Sequence, residues 1–479
     1  MNLGTWWITA TLACGPVADD AGPAVGTPSG TTPPTQPPVP SEPPPTPDPT
    51  PPTVTTPPPT TVPVLGQDIE TVNLEFDLTL LSGTATLQVQ PDTLTQTVVL
   101  DVSGLTLSSV TVDGVAAPLD TVDGMLQLST GTAASTIVVD YTFPTRSAWQ
   151  FDGWMPSLGV SFIWPYFCGN LYPCDPSTTD GVAFTMQITG VPDGLVAIFP
   201  TASFGEGPAY MPGIALGDYV QLDLGETPAG TTLTAWYFDE PDGRARAEQG
   251  TAYLLDAFDF FEENYGPYSF GPTYGTVEVD WGWDSYGGME HHPISHVGTF
   301  DLDDVEAQVH EAGHGWFGDG VRIACWEDFV LSEGTNTYIT ARAVQEVGGP
   351  DLWPYYVDFF LRPSCEEAGG YANPVVMPAG CSLTDFIHDD LWSLATYMKG
   401  ACYYGEVADL VGADVLDDMI GGFYNSHVGT AAEMEWMTDW IEASADPAHA
   451  VGLEQLRVEW LETAACPTDY ADRCRVRLP

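Results

Sequence analysis

The chain has 479 residues and a mass of 51.4 kDa, a length that suits two or three domains. Its formal net charge is −55 because bases are scarce: 66 acidic residues face 11 basic ones, and Lys399 is the single lysine. Nucleic acids and anionic lipid surfaces require a basic face, so this balance argues against both as partners. A hydrophobic fraction of 44% supplies material for a core, and no apolar run reaches the 18 residues of a membrane-spanning helix.

The first fourteen residues resemble a bacterial lipoprotein signal. A short apolar stretch, residues 6–13, ends at Cys14, and Leu12-Ala13-Cys14 forms a loose lipobox, although no basic residue precedes it. We expect the chain to be exported to the periplasm, the cell surface or the medium. Membrane attachment would then depend on lipidation of Cys14 alone.

Residues 15–64 show no apolar periodicity. Between Pro28 and Pro63, 17 of 36 residues are proline, and most of the others are Thr or Ser. Such a composition cannot form a core and favours an extended polyproline II conformation. The segment is therefore predicted to be a disordered linker.

Eight further cysteines follow, an even number at short spacings that is typical of disulfide bonds in exported proteins. Reduced core cysteines of a cytosolic protein are the alternative. Proximity suggests three pairs and elimination a fourth: Cys168 with Cys174, Cys365 with Cys381, Cys466 with Cys474, and Cys325 with Cys402. Connectivity cannot be deduced from sequence, so the pairing stays open.

Short alternating apolar and polar runs, bounded by Gly, Pro, Asp or Ser, follow the linker. This pattern predicts strands joined by tight turns. The clearest runs are residues 72–78, 97–102, 136–141 and 183–188. Residues 65–243 are therefore predicted to form an N-terminal antiparallel β domain of the sandwich or saddle kind.

From residue 244 the apolar spacing lengthens to that of helices. Helices are predicted over residues 247–264, 302–317, 328–347, 391–410 and 434–444, with one strand over 274–280. Residues 244–465 should form a mainly α domain with a small sheet, and residues 466–479 a disulfide-looped tail. The chain as a whole is expected to have an α+β fold with two domains.

The predicted helix 302–317 carries the string His310-Glu311-Ala312-Gly313-His314. Residues four apart share one face of a helix, so both imidazoles can bind one metal ion, with Glu311 beside its water. Glu333 follows after 18 intervening residues, on the next predicted helix. Two His and one Glu leave the fourth tetrahedral position of zinc open, which is typical of a hydrolytic site. A solvated helix that happens to carry two histidines is the alternative.

The spacing HExxH-x18-E resembles that of the aminopeptidase N-type gluzincins, peptidase family M1. Three further strings resemble family motifs, in the family's order: Tyr172-Pro173-Cys174-Asp175-Pro176, Gly287-Gly288-Met289-Glu290-His291 and Tyr397-Met398-Lys399-Gly400. The resemblance covers residues 65–465. It implies a thermolysin-like catalytic domain behind the β domain, one Zn²⁺ per chain, and peptides with a free N-terminus as substrates.

The resemblance also implies a role for each catalytic residue. His310, His314 and Glu333 would bind zinc. Glu311 would be the general base that takes a proton from water, and Tyr397 would donate a hydrogen bond to the oxyanion.

Substrate binding is implied for the upstream motif. Glu290 would bind the α-ammonium group of the substrate and so limit cleavage to its first residue. Met289 belongs to the same motif, and the backbone of Gly287 and Gly288 could lie beside the substrate as an added strand.

Some positions depart from the family pattern. His291 and Asp319 each stand where the family has Asn, and Thr340 stands where it often has a Glu near the metal. The chain ends at Pro479, so the resemblance predicts a short form without the C-terminal helical domain of larger relatives, with a more open cleft.

Two other functions compete with the aminopeptidase interpretation. One is a metalloendopeptidase, or another zinc hydrolase on the same scaffold. The other is a non-catalytic surface binding or adhesion module, although such proteins usually lose a ligand or the general base. His292 and His296 match no ligand position and are interpreted as structural. The preferred first residue, the oligomeric state and the role of Lys399 stay open.

Overall fold

The structure is a computed structural model that describes residues 66–92, 94–148, 150–282, 285 and 287–474. The predicted signal segment 1–14 and linker 15–64 lie outside these residues. The predicted α+β fold is confirmed, because strands dominate the first half of the described chain and helices the second half.

The strands of the described residues fall mainly before residue 240. They are β1 (Asp68–Asp77), β2 (Ser82–Gln90), β3 (Thr97–Asp101), β4 (Thr106–Val112), β5 (Val115–Ala116), β6 (Thr121–Val122), β7 (Met125–Ser129), β8 (Ser135–Thr142), β9 (Gly153–Met155), β10 (Val160–Phe162), β11 (Ala183–Thr189), β12 (Val196–Ile198), β13 (Ala215–Gly217), β14 (Tyr219–Glu226), β15 (Thr232–Phe238), β16 (Thr273–Val279), β17 (Gly288–Met289), β18 (Ile294–Gly298), β19 (Arg322–Ile323) and β20 (Ala431–Ala432).

The α-helices follow. They are α1 (Gly243–Gly250), α2 (Leu254–Asn264), α3 (Val305–Gly313), α4 (Phe329–Glu346), α5 (Trp353–Tyr355), α6 (Arg362–Cys365), α7 (Leu394–Val411), α8 (Ala413–His427), α9 (Met434–Ser444), α10 (Ala450–Trp460) and α11 (Tyr470–Arg473). A π-helical segment, Tyr356–Leu361, joins α5 to α6. Within the described residues, no helix has the length and apolar character needed to cross a bilayer.

The N-terminal strands form a large sheet in the order β11-β1-β2-β8-β4-β5, in which only β1 and β11 run parallel. Side chains alternate between the two faces of a strand, and one face is buried. Leu87 on β2, for example, lies opposite Val72 and Ile137, and all three are buried. One continuous hydrophobic core extends from this sheet into the helical region.

A five-stranded sheet links the β-rich and helical regions. Its order is β14-β15-β16-β18-β17, with β15, β16 and β18 parallel. The predicted domain boundary after residue 243 therefore falls between two strands of one sheet. Among the described residues β17 has a strand neighbour on one side only, which places residues 288–289 at a sheet edge.

The predicted helix 247–264 is wrong as a single helix, since α1 ends at Gly250 and α2 begins at Leu254. The hydroxyl and the amide of Thr251 both donate to the carbonyl of Ala247, at 2.6 and 3.0 Å. Residues 251–253 then form a turn between the two helices.

The predicted helix 302–317 is longer than α3. Its start is set by Asp304, whose carboxylate accepts the N–H of Glu306 at 2.8 Å as an N-cap. The other helix predictions agree with α4, α7 and α9 to within three residues, whereas α8 and α10 were missed.

Disulfide bonds are present, but three of the four suggested pairings are wrong. The bonds join Cys168 with Cys174, Cys325 with Cys381, Cys365 with Cys466, and Cys402 with Cys474. The last three close 56, 101 and 72 residues. Only Cys168 and Cys174 pair as neighbours in sequence; tertiary packing decides the partners of the other six.

Candidate active site

Two helices bring three metal-binding side chains together. The Nε2 atoms of His310 and His314, on or next to α3, lie 3.2 Å apart. Oε2 of Glu333, on α4, lies 3.2 Å from the first and 3.5 Å from the second. Zinc bonds of about 2.0–2.1 Å in a tetrahedral site place ligand atoms roughly 3.3–3.4 Å apart. The donor types and their spacing therefore fit one zinc ion.

Close packing of α3 on α4 holds this arrangement. A Cβ on Gly313 would collide with the side chain of Asn336, so glycine is required where the helices meet. The amide of Asn336 donates to the carbonyl of His310 at 2.7 Å. Nδ1 of His314 donates to the carbonyl of Phe317 at 3.0 Å, which leaves the Nε2 lone pair directed at the metal position.

Sequence reasoning missed a carboxylate next to this site. Oε1 of Glu306 lies 3.8 Å from Nδ1 of His310, one helical turn away, and accepts the hydroxyl of Tyr356 at 2.8 Å. Thr340, which stands where the family often has a Glu, is buried, and its hydroxyl has no hydrogen-bond partner among the described residues. The spacing of four between Glu306 and His310 was the available signal.

The three donors interact even without a metal ion. Burial alone would favour the neutral form of Glu333, but the charge of protonated His314 and hydrogen bonds from His314 and His310 hold its pKa down, at about 2. A divalent cation would need the same ionised carboxylate with both imidazoles neutral, and would replace their protons as its partner.

Glu311 lies on α3 with its carboxylate under the edge strand β17. A Cβ built on Gly288 would be 2.5 Å from that carboxylate, so only glycine allows the two to approach. Burial raises the pKa of Glu311 well above its usual range; His314 opposes this rise, and Glu290 adds to it. Ligand atoms of Glu290, Glu311 and His314 all lie within 4.8 Å of one another. A group with a raised pKa at this place suits proton transfer.

The upstream motif lies at the sheet edge beside the metal ligands. Gly287 is exposed with φ +72°, a left-handed conformation that favours glycine, and its N–H donates to Asp301 at 2.5 Å. Gly288 and Met289 form β17, and Glu290 follows, buried. The structure therefore brings the predicted substrate-binding residues next to Glu311.

Asp319 and Tyr210 form a buried polar group near Glu290 that the sequence did not assign. The hydroxyl of Tyr210 donates to Asp319 at 3.4 Å. Burial raises the pKa of Asp319 well above its usual range, and the charge of Glu290 adds to the effect. No pattern in the sequence linked Tyr210 to residues more than 70 positions away.

Tyr397 lies on α7 with its ring stacked on that of His310, 6.1 Å between centroids. It is only half-buried, whereas the competing Tyr403 and Tyr404 are fully buried, and Tyr404 bonds to Thr335. Of the three tyrosines, Tyr397 alone packs against a metal ligand in the described structure.

In the string around Cys174, Tyr172 is buried and its hydroxyl donates to the carbonyl of Ala209 at 2.5 Å. Asp175 is buried and bonds to Gln67 and to the N–H of Ser177. In the described structure its carboxylate therefore accepts hydrogen bonds that hold a loop of the β-rich region in place.

The fold is α+β, and the candidate metal donors are two histidines of an HExxH string and a glutamate on the next long helix, an arrangement typical of zinc metallopeptidases. Residues 301–460 match the Peptidase family M1 domain. The family resemblance drawn from the sequence is confirmed by this match.

Curated relatives include two fungal enzymes. Leucine aminopeptidase 2-1 of Meyerozyma guilliermondii is 21% identical over 392 residues, covering 74% of this chain and 61% of the relative. Leucine aminopeptidase 2 of Neosartorya fischeri is 27% identical over 238 residues, covering 47% of this chain and 36% of the relative. The chain thus spans less than two thirds of the length of these relatives.

Solved structures share the fold. An M1 zinc metallopeptidase from Deinococcus radiodurans superposes with a TM-score of 0.70 at 18% identity, covering 87% of this chain and 99% of that one. A mutant of the Deinococcus enzyme bound to a Tyr-Ser-Ala substrate superposes with a TM-score of 0.69 at 18% identity, covering 84% of this chain and 95% of that one. Native yeast LTA4 hydrolase superposes with a TM-score of 0.65 at 18% identity, covering 84% of this chain and 69% of that one.

Proposed function

We propose that this chain is a zinc-dependent aminopeptidase that removes the N-terminal residue from peptides, with one zinc ion per chain. The observation that carries the proposal is the tetrahedral spacing of His310, His314 and Glu333, with Glu290 and Glu311 beside the edge strand β17. The leucine aminopeptidase names of curated relatives support the same activity.

The side chains would divide the chemistry as follows. Bound zinc supplies a Lewis acid that acidifies water and polarises the scissile carbonyl. Glu311 accepts the proton of the attacking water and passes it to the leaving amine, which its raised pKa favours. Tyr397 donates its phenolic proton as a hydrogen bond to the oxygen that gains charge.

The outer edge of β17, which pairs with no further strand among the described residues, would align the peptide. An extended substrate can add to this edge through main-chain hydrogen bonds, and Gly287 and Gly288 leave room for its backbone. The strand leads directly to Glu290, whose carboxylate would pair with the α-ammonium group. This pairing fixes the first residue at the scissile position.

Removal of zinc should abolish hydrolysis of an aminoacyl anilide. We expect exhaustive chelation with 1,10-phenanthroline to reduce turnover to background, and one equivalent of Zn²⁺ to restore it, because the three protein ligands leave one position for water. The measurement is anilide release over a panel of aminoacyl substrates, with zinc content by elemental analysis. Activity that persists after metal is shown to be absent would contradict the proposal.

Acetylation of the substrate should separate exopeptidase from endopeptidase action. We expect N-acetylation to lower kcat/KM by about 10- to 100-fold, the worth of a charged hydrogen bond. Glu290→Gln should lose a similar factor on the free amine and discriminate little between the two substrates. Glu240→Gln, at an exposed glutamate, is the control. Equal rates on both substrates in the native enzyme would favour the metalloendopeptidase.

We propose in addition that the protein is exported, since disulfide bonds persist in oxidising compartments. Anchoring at Cys14 is the proposed membrane attachment, and that residue lies outside the described residues. The mass of the mature N-terminus from producing cells would reveal lipidation, and an intact Met1 on cytosolic protein would contradict export.

A further inference from the structure

The helix that carries the metal ligands tightens directly after the proposed general base. In a regular α-helix the amide of Gly315 would donate to the carbonyl of Glu311. Instead it donates to Ala312 at 3.1 Å, and Trp316 donates to Gly313 at 2.9 Å. The shift to a three-residue spacing leaves the carbonyl of Glu311 to find a donor elsewhere.

His292 supplies that donor. Its Nε2 lies 3.0 Å from the carbonyl oxygen of Glu311, and a carbonyl can only accept, so Nε2 carries the proton. Its Nδ1 then accepts the hydroxyl of Tyr268 at 2.7 Å. The hydroxyl of Ser295 is more distant from the same carbonyl, at 3.5 Å.

The imidazole has little freedom to move. His292 is fully buried, and its ring lies 5.3 Å from that of Tyr274 and 5.4 Å from that of Phe270. A Cβ on Gly315 would be 3.1 Å from Cε1 of His292, so the histidine packs directly on the turn that follows the HExxH string.

We propose that His292 is a positioning residue for the zinc helix: through Nε2–H it caps the carbonyl of Glu311, in a tautomer fixed by Tyr268, and so holds Glu311 and His314 in register with the metal position. The inference rests on the proposed function and deepens it. Buried polar partners that orient catalytic helices act on kcat and on metal affinity, not on the binding of the substrate amine.

His292→Leu and His292→Gln test the role of the donor. Leu fills space without a donor, whereas the amide nitrogen of Gln can reach the position of Nε2. We expect His292→Leu to lower kcat about 10- to 100-fold and to weaken zinc binding by a similar factor, with KM within about threefold. His292→Gln should recover most of both losses. Zinc dissociation constants come from competition with a fluorescent chelator, for variants that circular dichroism shows to be folded.

Tyr268→Phe provides a second test if His292→Leu fails to fold. Loss of the hydroxyl frees the tautomer of His292, and we expect kcat and zinc affinity to fall about three- to tenfold. Tyr219→Phe is the matched control, because its hydroxyl also donates to a backbone carbonyl, that of the buried residue Glu278 on β16, at 2.7 Å. Equal effects of the two Tyr→Phe changes would overturn the proposal.

Two further outcomes would overturn it: zinc affinity and kcat of folded His292→Leu within twofold of the native values, or damage by His292→Gln equal to that by His292→Leu. The zinc dissociation constant is measured without substrate. A native enzyme that binds zinc but cleaves no aminoacyl substrate would therefore reject the proposed function and still leave the positioning role open to test.

Discussion

Replacing Glu311 by Gln is expected to lower kcat about 10²- to 10⁴-fold while zinc stays bound, since general-base catalysis contributes a factor of this order. The amide has the same shape as the carboxylate but cannot accept the proton of water. The three predicted ligands, His310, His314 and Glu333, are unchanged, so zinc content should stay near one per chain. Stopped-time assays on an aminoacyl anilide, with elemental analysis, would check both parts.

A matched substitution separates this effect from loss of negative charge. Glu248 is exposed and pairs with Arg244 on the surface of α1, at 2.8 Å, so Glu248→Gln removes one charge far from the chemistry. Its kcat should stay within twofold of the native value. A kcat for Glu311→Gln within tenfold of native, with zinc bound, would exclude Glu311 as the base.

Lys399→Met is expected to cost about 3–5 kcal/mol in the free energy of unfolding. The ammonium group of Lys399 is buried on α7 and donates to the carbonyls of Thr463, Pro374 and Ala464, at 2.6, 2.9 and 3.1 Å. Burial lowers its pKa to about 8. Methionine keeps the volume but takes the donor away from three partly buried carbonyls, at about 1–3 kcal/mol each.

Urea unfolding with the disulfides intact would measure the loss. Arg244→Met is the control, because this exposed cation pairs with one exposed glutamate and should contribute less than about 1 kcal/mol. A loss below 1 kcal/mol for Lys399→Met would show that the carbonyls find other donors. The bonds tie the segment after α10 to the loop before α7, which gives the single lysine a structural role that the sequence left open.

Much of the candidate site could be predicted because its chemistry follows from local geometry. His310 and His314 share a helix face at a spacing of four, so their Nε2 atoms meet wherever that helix lies. The motif Gly287-Gly288-Met289-Glu290 and the tyrosine string were drawn from family resemblance, and the structure brings both next to the ligands. Their catalytic roles stay predictions until the variants are made.

Contacts between distant elements could not be predicted in the same way. Asp304 caps the start of α3, and His292 donates to the carbonyl of Glu311 near its end. The tightened turn after Gly313, which leaves that carbonyl without its helical donor, has no periodic signal in the sequence. The carboxylate of Glu306 lies near His310 at a helical spacing that could have been noticed.

By itself, the sequence determined the α+β class, the two longest helices α4 and α7, the candidate metal donors and the base-poor composition, because periodicity and spacing act over a few residues. Only the tertiary structure decided the disulfide partners, the edge position of β17, the sheet that joins the two regions and the carbonyls around Lys399. These features depend on which surfaces pack together, and packing joins residues whose separation along the chain carries no pattern.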